Sequence, residues 1–172
     1  MLRSLNSVLR LYSVPGQGSC FSFDWVGERA PAAIDARPSA PEGTLQGLRV
    51  MVVDDDPVNL LVAHAQLERL GAWAVTATDV VAAVQELSRR GPGAIDVVLM
   101  DLQMPVIGGA EGARRILGLP GFERQSVVGL SGEVAPQAIE HALACGMRDF
   151  IEKPFDAQTL LNKLQHYRPA AA

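Results

Sequence analysis

Residues 48–56 read LRVMVVDDD, an apolar run that ends in three consecutive aspartates. Every position before the aspartates except Arg49 is apolar, which is typical of a strand buried on both faces of a sheet. An amphipathic helix is predicted next, over residues 57–70, because Pro57 is tolerated in a first helical turn and Gly71 ends the pattern. A buried strand, an acidic turn and a helix together predict one unit of an α/β fold.

The alternation of strand and helix continues to about residue 167. Further strands are predicted over residues 73–77, 95–100, 127–131 and 148–152, and further helices over residues 79–90, 110–117, 136–144 and 156–166. Five strands that alternate with five helices predict a doubly wound parallel sheet with helices on both faces. Functional residues of such sheets collect at the carboxyl ends of the strands, so we expect the site there.

Charged and hydroxyl side chains follow four of the predicted strands. Asp54, Asp55 and Asp56 end the first, Asp101 the third, Ser131 the fourth and Lys153 the fifth. The carboxylates repel each other, and their hard oxygens, with no Cys or His in the pattern, suit Mg²⁺, with Mn²⁺ as the alternative ion. An aspartate beside a divalent cation and a lysine is a nucleophile suited to phosphorus, and a serine hydroxyl can donate to a phosphoryl oxygen.

The composition of the chain restricts the classes of function. Of 172 residues, 48% are hydrophobic, and the formal net charge of −4 argues against binding to nucleic acid. No apolar run approaches the length of a membrane span, so we expect no direct membrane contact. Cys20 and Cys145 form neither a disulfide framework nor a zinc motif, which fits a reducing cytoplasm.

Four stretches resemble the receiver domain of two-component response regulators. They are MVVDDDPVN at residues 51–59, VVLMDLQMP at 97–105, VVGLSG at 127–132 and DFIEKPF at 149–155. The resemblance covers residues 47–167, and LMDLQMP together with Asn59 is most similar to the receivers of hybrid sensor histidine kinases. It implies a flavodoxin-like sheet with the strand order 2-1-3-4-5.

The resemblance also implies a phosphorylation site. Asp101 would be the phosphoacceptor. Asp55 and Asp101 would bind Mg²⁺ by their side chains, Gln103 by its backbone carbonyl and Asp54 through water. Asp56 is then an additional acid, which we interpret as a helix cap or a supporting group rather than a ligand.

The remaining motif residues would handle the phosphoryl group and the response to it. Lys153 would pair with Asp101 and then with the phosphoryl group, and the Lys153–Pro154 bond would be cis. Ser131 would bind the phosphoryl group and move, and Phe150 would be the aromatic residue that rotates in response. The sequence departs from the family at Gly108, where an aspartate is usual. Because glycine has more backbone freedom, we expect a looser loop before the third helix.

The residues before the receiver divide into two predicted segments. LRLYSVPGQGSCFSF, at residues 9–23, is similar to the final hairpin of the ATP-binding domain of histidine kinases, and residues 1–26 are assigned to that remnant; an unrelated hairpin is the alternative. A Pro/Ala-rich linker is predicted over residues 27–46, and a short tail over 168–172. The acid-free residues 1–14 also fit an organelle transit peptide, although an ordinary amphipathic strand or helix is the preferred interpretation.

These features predict a phosphorelay receiver from the C-terminal part of a hybrid sensor histidine kinase whose parent chain is membrane-anchored. Its partners would be the histidine kinase core and a histidine phosphotransfer protein, which would dock around the first helix, near Val58, Leu61 and Ala65. The receiver would catalyse its own phosphorylation. The sequence contains no complete kinase core, so we expect this chain alone neither to bind ATP nor to phosphorylate a histidine.

Two alternatives remain open from the sequence. The DDDPV run at residues 54–58 also fits the signature of haloacid dehalogenase-like phosphatases, in which Asp54 would be the nucleophile and Asp56 the general acid. That assignment leaves Asp101 without a role. The other alternative is an interaction module that is never phosphorylated, which would gain nothing from keeping several carboxylates together.

Overall fold

The first of two units in the chain contains a two-stranded antiparallel hairpin. The computed structural model describes residues 9–14, 18–23, 44–132 and 136–168, and it divides into units of residues 1–37 and 38–172. Strand β1 (Leu9–Val14) pairs with β2 (Gly18–Phe23). The hairpin predicted over residues 9–23 is therefore present, whereas the turn between its strands, residues 15–17, lies outside the described residues.

The second unit is a parallel sheet whose strands alternate with helices. Its elements in chain order are β3 (Arg49–Val53), α1 (Pro57–Arg69), β4 (Trp73–Ala77), α2 (Val80–Arg90), β5 (Val97–Asp101), α3 (Gly109–Leu117), β6 (Ser126–Ser131), α4 (Pro136–Ala144), β7 (Asp149–Glu152), α5 (Ala157–Leu164) and a 3-10 turn (Gln165–Tyr167). The strands are ordered β4-β3-β5-β6-β7, all parallel. Numbered within this sheet, that is the order 2-1-3-4-5 implied by the resemblance, so the fold prediction is confirmed.

The apolar runs of the central strands fill two cores, one on each face of the sheet. Val50 and Val52 of β3 contribute to the core under α1 and α5, while Met51 and Val53 contribute to the core under α2, α3 and α4. All four side chains are fully buried. This is why β3 has no polar alternation: both of its faces are covered by helices. No helix in the described part of the chain combines the length and the apolar character that a membrane span requires.

The predicted bounds are wrong by one or two residues at several ends. The strand predicted over residues 95–100 occupies Val97–Asp101, because before Val97 the Arg49 backbone N–H pairs with the Asp96 carboxylate instead of a backbone carbonyl. Asp96 accepts from the backbone N–H of Arg49 at 2.7 Å and from its guanidinium at 2.6 and 3.0 Å. The last helix is also shorter than predicted, because Asp156 caps it and the chain tightens into the 3-10 turn after Leu164.

Two adjacent glycines begin α3 directly behind the last residue of β5. A Cβ atom on Gly109 would overlap the backbone carbonyl oxygen of Asp101, so only glycine allows this close approach. Gly108 is the N-cap of α3 and makes no side-chain cap. A Cβ there would only touch the Leu102 carbonyl oxygen at 3.5 Å, an ordinary contact. The packing therefore requires glycine at one of the two positions and tolerates a side chain at the other.

We expect opposite effects from substituting these two glycines. Gly109→Ala should lower the free energy of unfolding by roughly 1–3 kcal/mol, because backbone must move to admit the methyl group. Gly108→Asp should raise it by a few tenths to about 1 kcal/mol, through a new cap and a stiffer unfolded chain. Urea unfolding of both variants measures the two changes, and an unchanged midpoint for Gly109→Ala would contradict the close packing.

Candidate functional site

The parallel ladder brings the predicted site residues to one edge of the sheet. Asp54 follows the last residue of β3, Asp101 and Ser131 are the last residues of β5 and β6, and Lys153 follows β7. Backbone hydrogen bonds extend the ladder past the strand ends: the N–H of Asp54 donates to Ala77 at 3.2 Å and that of Lys153 donates to Ser131 at 2.6 Å. The side chains are thus placed by strand register rather than by loop conformation.

Three of the predicted carboxylates form one cluster. Asp54, Asp55 and Asp101 each offer an oxygen atom, and these atoms all lie within 4.8 Å of one another. Asp54 is 1% exposed and Asp101 is 7% exposed, whereas Asp55 faces solvent. A cluster of hard oxygen donors with one side open fits Mg²⁺, which binds through few carboxylates and keeps water ligands. Gln103 is exposed beside the cluster, and its backbone N–H donates to Asp101 at 3.1 Å.

Lys153 provides the positive charge that faces these carboxylates. Its ammonium lies 2.6 Å from Asp54 Oδ2 and 3.0 Å from Asp101 Oδ2, and the Lys153–Pro154 peptide bond is cis. Burial of the ammonium lowers the pKa of Lys153, but hydrogen bonds and charge attraction from the two carboxylates outweigh it, and the pKa is raised above its ordinary value. Lys153 is therefore a fixed cation at neutral pH, shared between the two buried acids.

Ser131 and Phe150 lie on neighbouring strands at the same edge. Ser131 is buried at the end of β6, and Phe150 is half-buried in β7, directly opposite Gly129. A Cβ atom on Gly129 would lie 2.5 and 2.6 Å from two atoms of the Phe150 ring, so the ring occupies the space above this glycine. Gly129 and Ser131 share one face of β6, because residues two apart on a strand point the same way.

Asn59 is a site residue that the sequence reasoning did not place. Its side-chain Nδ2 donates to both oxygens of Asp54, at 3.1 and 3.2 Å, from the first turn of α1. The available signal was the spacing of five residues from Asp54 across a helix start. Asp56 caps α1 by accepting from the backbone N–H of Val58 at 2.8 Å, as predicted, and its own N–H donates to Asp54 at 2.9 Å.

The comparison with known families agrees with this geometry. Residues 50–165 match the response regulator receiver domain. The chain belongs to that family. It is a phosphoacceptor domain of two-component signalling, and the match does not support the haloacid dehalogenase-like phosphatase that the sequence left open.

Several similar proteins are sensor kinases. The chain is 34% identical over 187 residues to the virulence sensor protein BvgS of Bordetella bronchiseptica, in an alignment that covers 100% of the chain and 14% of BvgS. It is 32% identical to the signal transduction histidine-protein kinase BarA of Escherichia coli K12, covering 72% of the chain and 13% of BarA. The chain therefore spans only about a seventh of the length of these relatives.

Solved receiver structures share the fold. The receiver domain of the sensor histidine kinase PA1611 from Pseudomonas aeruginosa, solved with a magnesium ion coordinated in its active site cleft, has a TM-score of 0.63 at 30% identity and covers 70% of this chain and 97% of its own. The chemotaxis protein CheY4 of Vibrio cholerae has a TM-score of 0.65 at 26% identity, covering 70% of this chain and 98% of its own.

We expect Lys153→Met to lower the free energy of unfolding of the metal-free receiver by about 2 kcal/mol, because it leaves buried carboxylates without their charged partner. Added Mg²⁺ should restore more of the stability in this variant than it adds to the wild type. Urea unfolding with a chelator and with Mg²⁺ measures both effects.

Lys163→Met is the matched control. The Lys163 ammonium pairs with Asp149 at 2.8 Å, but both side chains are more than one-third exposed. The loss there should be below about 1 kcal/mol and independent of Mg²⁺. An equal decrease in the free energy of unfolding of the two variants would show that Lys153 stabilises the receiver no more than an exposed ion pair does.

Proposed function

We propose that this receiver accepts a phosphoryl group on Asp101 from a phosphohistidine, in a Mg²⁺-dependent reaction, and passes the signal on. The observation that carries the proposal is the contact of one ammonium group, that of Lys153, with two carboxylates inside a cluster of three. Mg²⁺ would be held by Asp55 and Asp101 directly and by Asp54 through water, with the carbonyl of Gln103 completing the protein ligands.

Asp101 is better suited than Asp54 to act as the nucleophile. The Asn59 amide donates to both oxygens of Asp54, and Lys153 donates to one of them. Asp54 is also only 1% exposed. Asp101 accepts from Lys153 and from the Gln103 backbone, yet it retains more exposure to an incoming group. Each Asp54 oxygen faces two donors whereas each Asp101 oxygen faces one, and hydrogen bonds weaken a nucleophile, so we assign Asp54 to support and Asp101 to the reaction.

In the proposed transfer, a carboxylate oxygen of Asp101 attacks phosphorus while the phosphorus–nitrogen bond to the donor imidazole breaks. Bound Mg²⁺ would supply neutralisation of the phosphoryl oxygens. The Lys153 ammonium attracts the same oxygens, and the Ser131 hydroxyl donates to one of them. The product is an acyl phosphate on Asp101 and a free histidine on the donor.

Substitution of the proposed acceptor tests this assignment. Asp101→Asn should abolish a single acid-labile addition of one phosphoryl group after incubation with acetyl phosphate and Mg²⁺, because an amide oxygen is a far weaker nucleophile. Asp54→Asn should slow the addition without abolishing it. Intact-mass spectrometry measures both variants against the wild type, and an addition that persists in Asp101→Asn would refute the assignment.

We further propose that the receiver belongs to a hybrid sensor histidine kinase with the receiver in the cytoplasm. The alignment with BvgS covers all of the chain, including the hairpin of β1 and β2, which supports assigning residues 1–26 to the end of a kinase ATP-binding domain. The phosphoryl donor would then be the kinase core, and the next acceptor a histidine phosphotransfer protein.

The docking surface for these partners is proposed on α1. Val58, Leu61 and Val62 are 63%, 71% and 47% exposed, which is unusual for apolar side chains on one helix. Beside them lies a groove of about 330 Å³ whose lining includes Lys153, so a partner helix seated there would bring a histidine close to the phosphorylation site. The groove is lined by Asn59, Val62, Lys153, Pro154 and Phe155.

Leu61→Asp should separate docking from chemistry. We expect phosphotransfer from the phosphorylated histidine domain of the parent kinase to slow at least about tenfold, because a charge replaces an apolar contact at the centre of the interface. Phosphorylation by acetyl phosphate should be unchanged, since a small donor needs no docking surface.

Val81→Asp is the control for added charge, because Val81 is an exposed apolar residue (49%) on α2, away from the groove. It should leave both reactions at the wild-type rate. A docking surface elsewhere would be indicated if Leu61→Asp kept the wild-type rate with the histidine domain.

A further inference from the structure

The Asp54 carboxylate is held by three neighbours that differ in how firmly they fix it. Lys153 Nζ donates to Oδ2 at 2.6 Å, and the backbone N–H of Asp56 donates to Oδ1 at 2.9 Å. Asn59 Nδ2 donates to both oxygens, at 3.1 and 3.2 Å. Lys153 and Asp56 each contact a single oxygen, whereas the Asn59 amide bridges the pair and so restrains rotation of the carboxylate plane.

The orientation of the Asn59 amide follows from its surroundings. If the amide were flipped, its carbonyl oxygen would face the two carboxylate oxygens, and no hydrogen bond would form because the carbonyl and the carboxylate are both acceptors. The NH₂ group must therefore point at Asp54. The side chain begins in the first turn of α1, whose start is fixed by the Asp56 cap, so the donor is anchored to a regular element.

A neutral donor has an advantage that a second cation would lack. The site must admit Mg²⁺ and a phosphoryl group, and another fixed positive charge beside Asp54 would repel the metal. Lys153 is also shared with Asp101 at 3.0 Å, so its hold on Asp54 changes when Asp101 is modified. Asn59 contacts Asp54 without contributing charge and without depending on Asp101.

We propose that Asn59 is a positioning residue of this receiver: through its amide it keeps the Asp54 carboxylate in the orientation that binds hydrated Mg²⁺. The inference rests on the proposed function, since it assigns Asn59 to the same metal site. Asn59 touches neither the phosphoryl group nor the acceptor, and it acts through Asp54. Asn59 also lines the groove proposed for partner docking, so the test must separate its positioning role from docking.

The test compares Mg²⁺ binding by the full chain with Leu or Ala at position 59. Leucine has nearly the same shape as asparagine and no donor. We expect the Mg²⁺ dissociation constant of Asn59→Leu, measured by isothermal titration calorimetry, to rise about tenfold, the size expected when hydrogen bonds to a charged group are lost. Asn59→Ala should show a similar rise, and it covers the case in which leucine disturbs folding, because alanine favours the helix.

Asn162→Leu is the matched control. Asn162 is an exposed asparagine on α5 whose side chain accepts from Gln158 and not from the site, so the Mg²⁺ dissociation constant should remain that of the wild type. A constant within about twofold of the wild type for both Asn59 variants, which is less than one hydrogen bond to a charged group contributes, would overturn the inference.

Phosphorylation by acetyl phosphate gives a second readout that separates positioning from docking. In Asn59→Leu the Mg²⁺ concentration for half-maximal rate should rise by the same factor as the dissociation constant, and saturating Mg²⁺ should restore most of the rate. A variant that slows only transfer from the histidine domain, with unchanged Mg²⁺ dependence, would make Asn59 a docking residue and refute its positioning role. Failure of the proposed function itself would be detected separately, because a phosphoryl group would then still be added to Asp101→Asn.

Discussion

One ammonium group faces three carboxylates at the carboxyl edge of this sheet, and that charge balance constrains the rest of the molecule. Lys153 contacts Asp54 and Asp101, and the third carboxylate, Asp55, lies in solvent where water screens it. Buried acids without such a partner would take up protons or push the strands apart. The ladder hydrogen bonds that continue beyond the strands, such as Lys153 N–H to Ser131, hold the edge together against this repulsion.

Helices α1 and α3 begin beside the site and place no cationic side chain against its carboxylates in their first turns. Helix α1 begins directly after the acidic turn, so the partial positive charge of its N-terminus faces the carboxylates. Asp56 satisfies a backbone donor of that turn, and Asn59 donates a neutral hydrogen bond to Asp54. At α3, Gly109 permits the helix to start against the Asp101 carbonyl. These elements are positioned around the carboxylates by hydrogen bonding and backbone packing, without a second cation.

The sequence alone predicted the kind of fold and the residues at the strand ends. Continuous apolar runs identified the buried strands, and their ends located the polar residues, because strand direction determines which edge they reach. The strand order came only with the family resemblance. The start of β5 was misplaced because the Arg49 backbone N–H pairs with the Asp96 side chain instead of a backbone carbonyl, a contact across 47 residues that the local pattern does not contain. The contacts of Asn59 with Asp54 and of Gly129 with Phe150 were not predicted, because they depend on helix rotation and cross-strand register.

Strand β6 carries Ser131 at the acidic edge and also packs against Phe150 of the neighbouring strand β7. Ser131 and Gly129 are two residues apart on the same face of this strand, and the Phe150 ring rests on Gly129. Had Gly129 carried a side chain, the ring would have to move away, and its position would no longer depend on the backbone beneath it. If a phosphoryl group on Asp101 draws Ser131 toward it and β6 moves with that residue, the space that the ring occupies above Gly129 changes. Under the proposed function, the absence of a Cβ at Gly129 would couple the Phe150 ring to the backbone that carries Ser131 through packing alone.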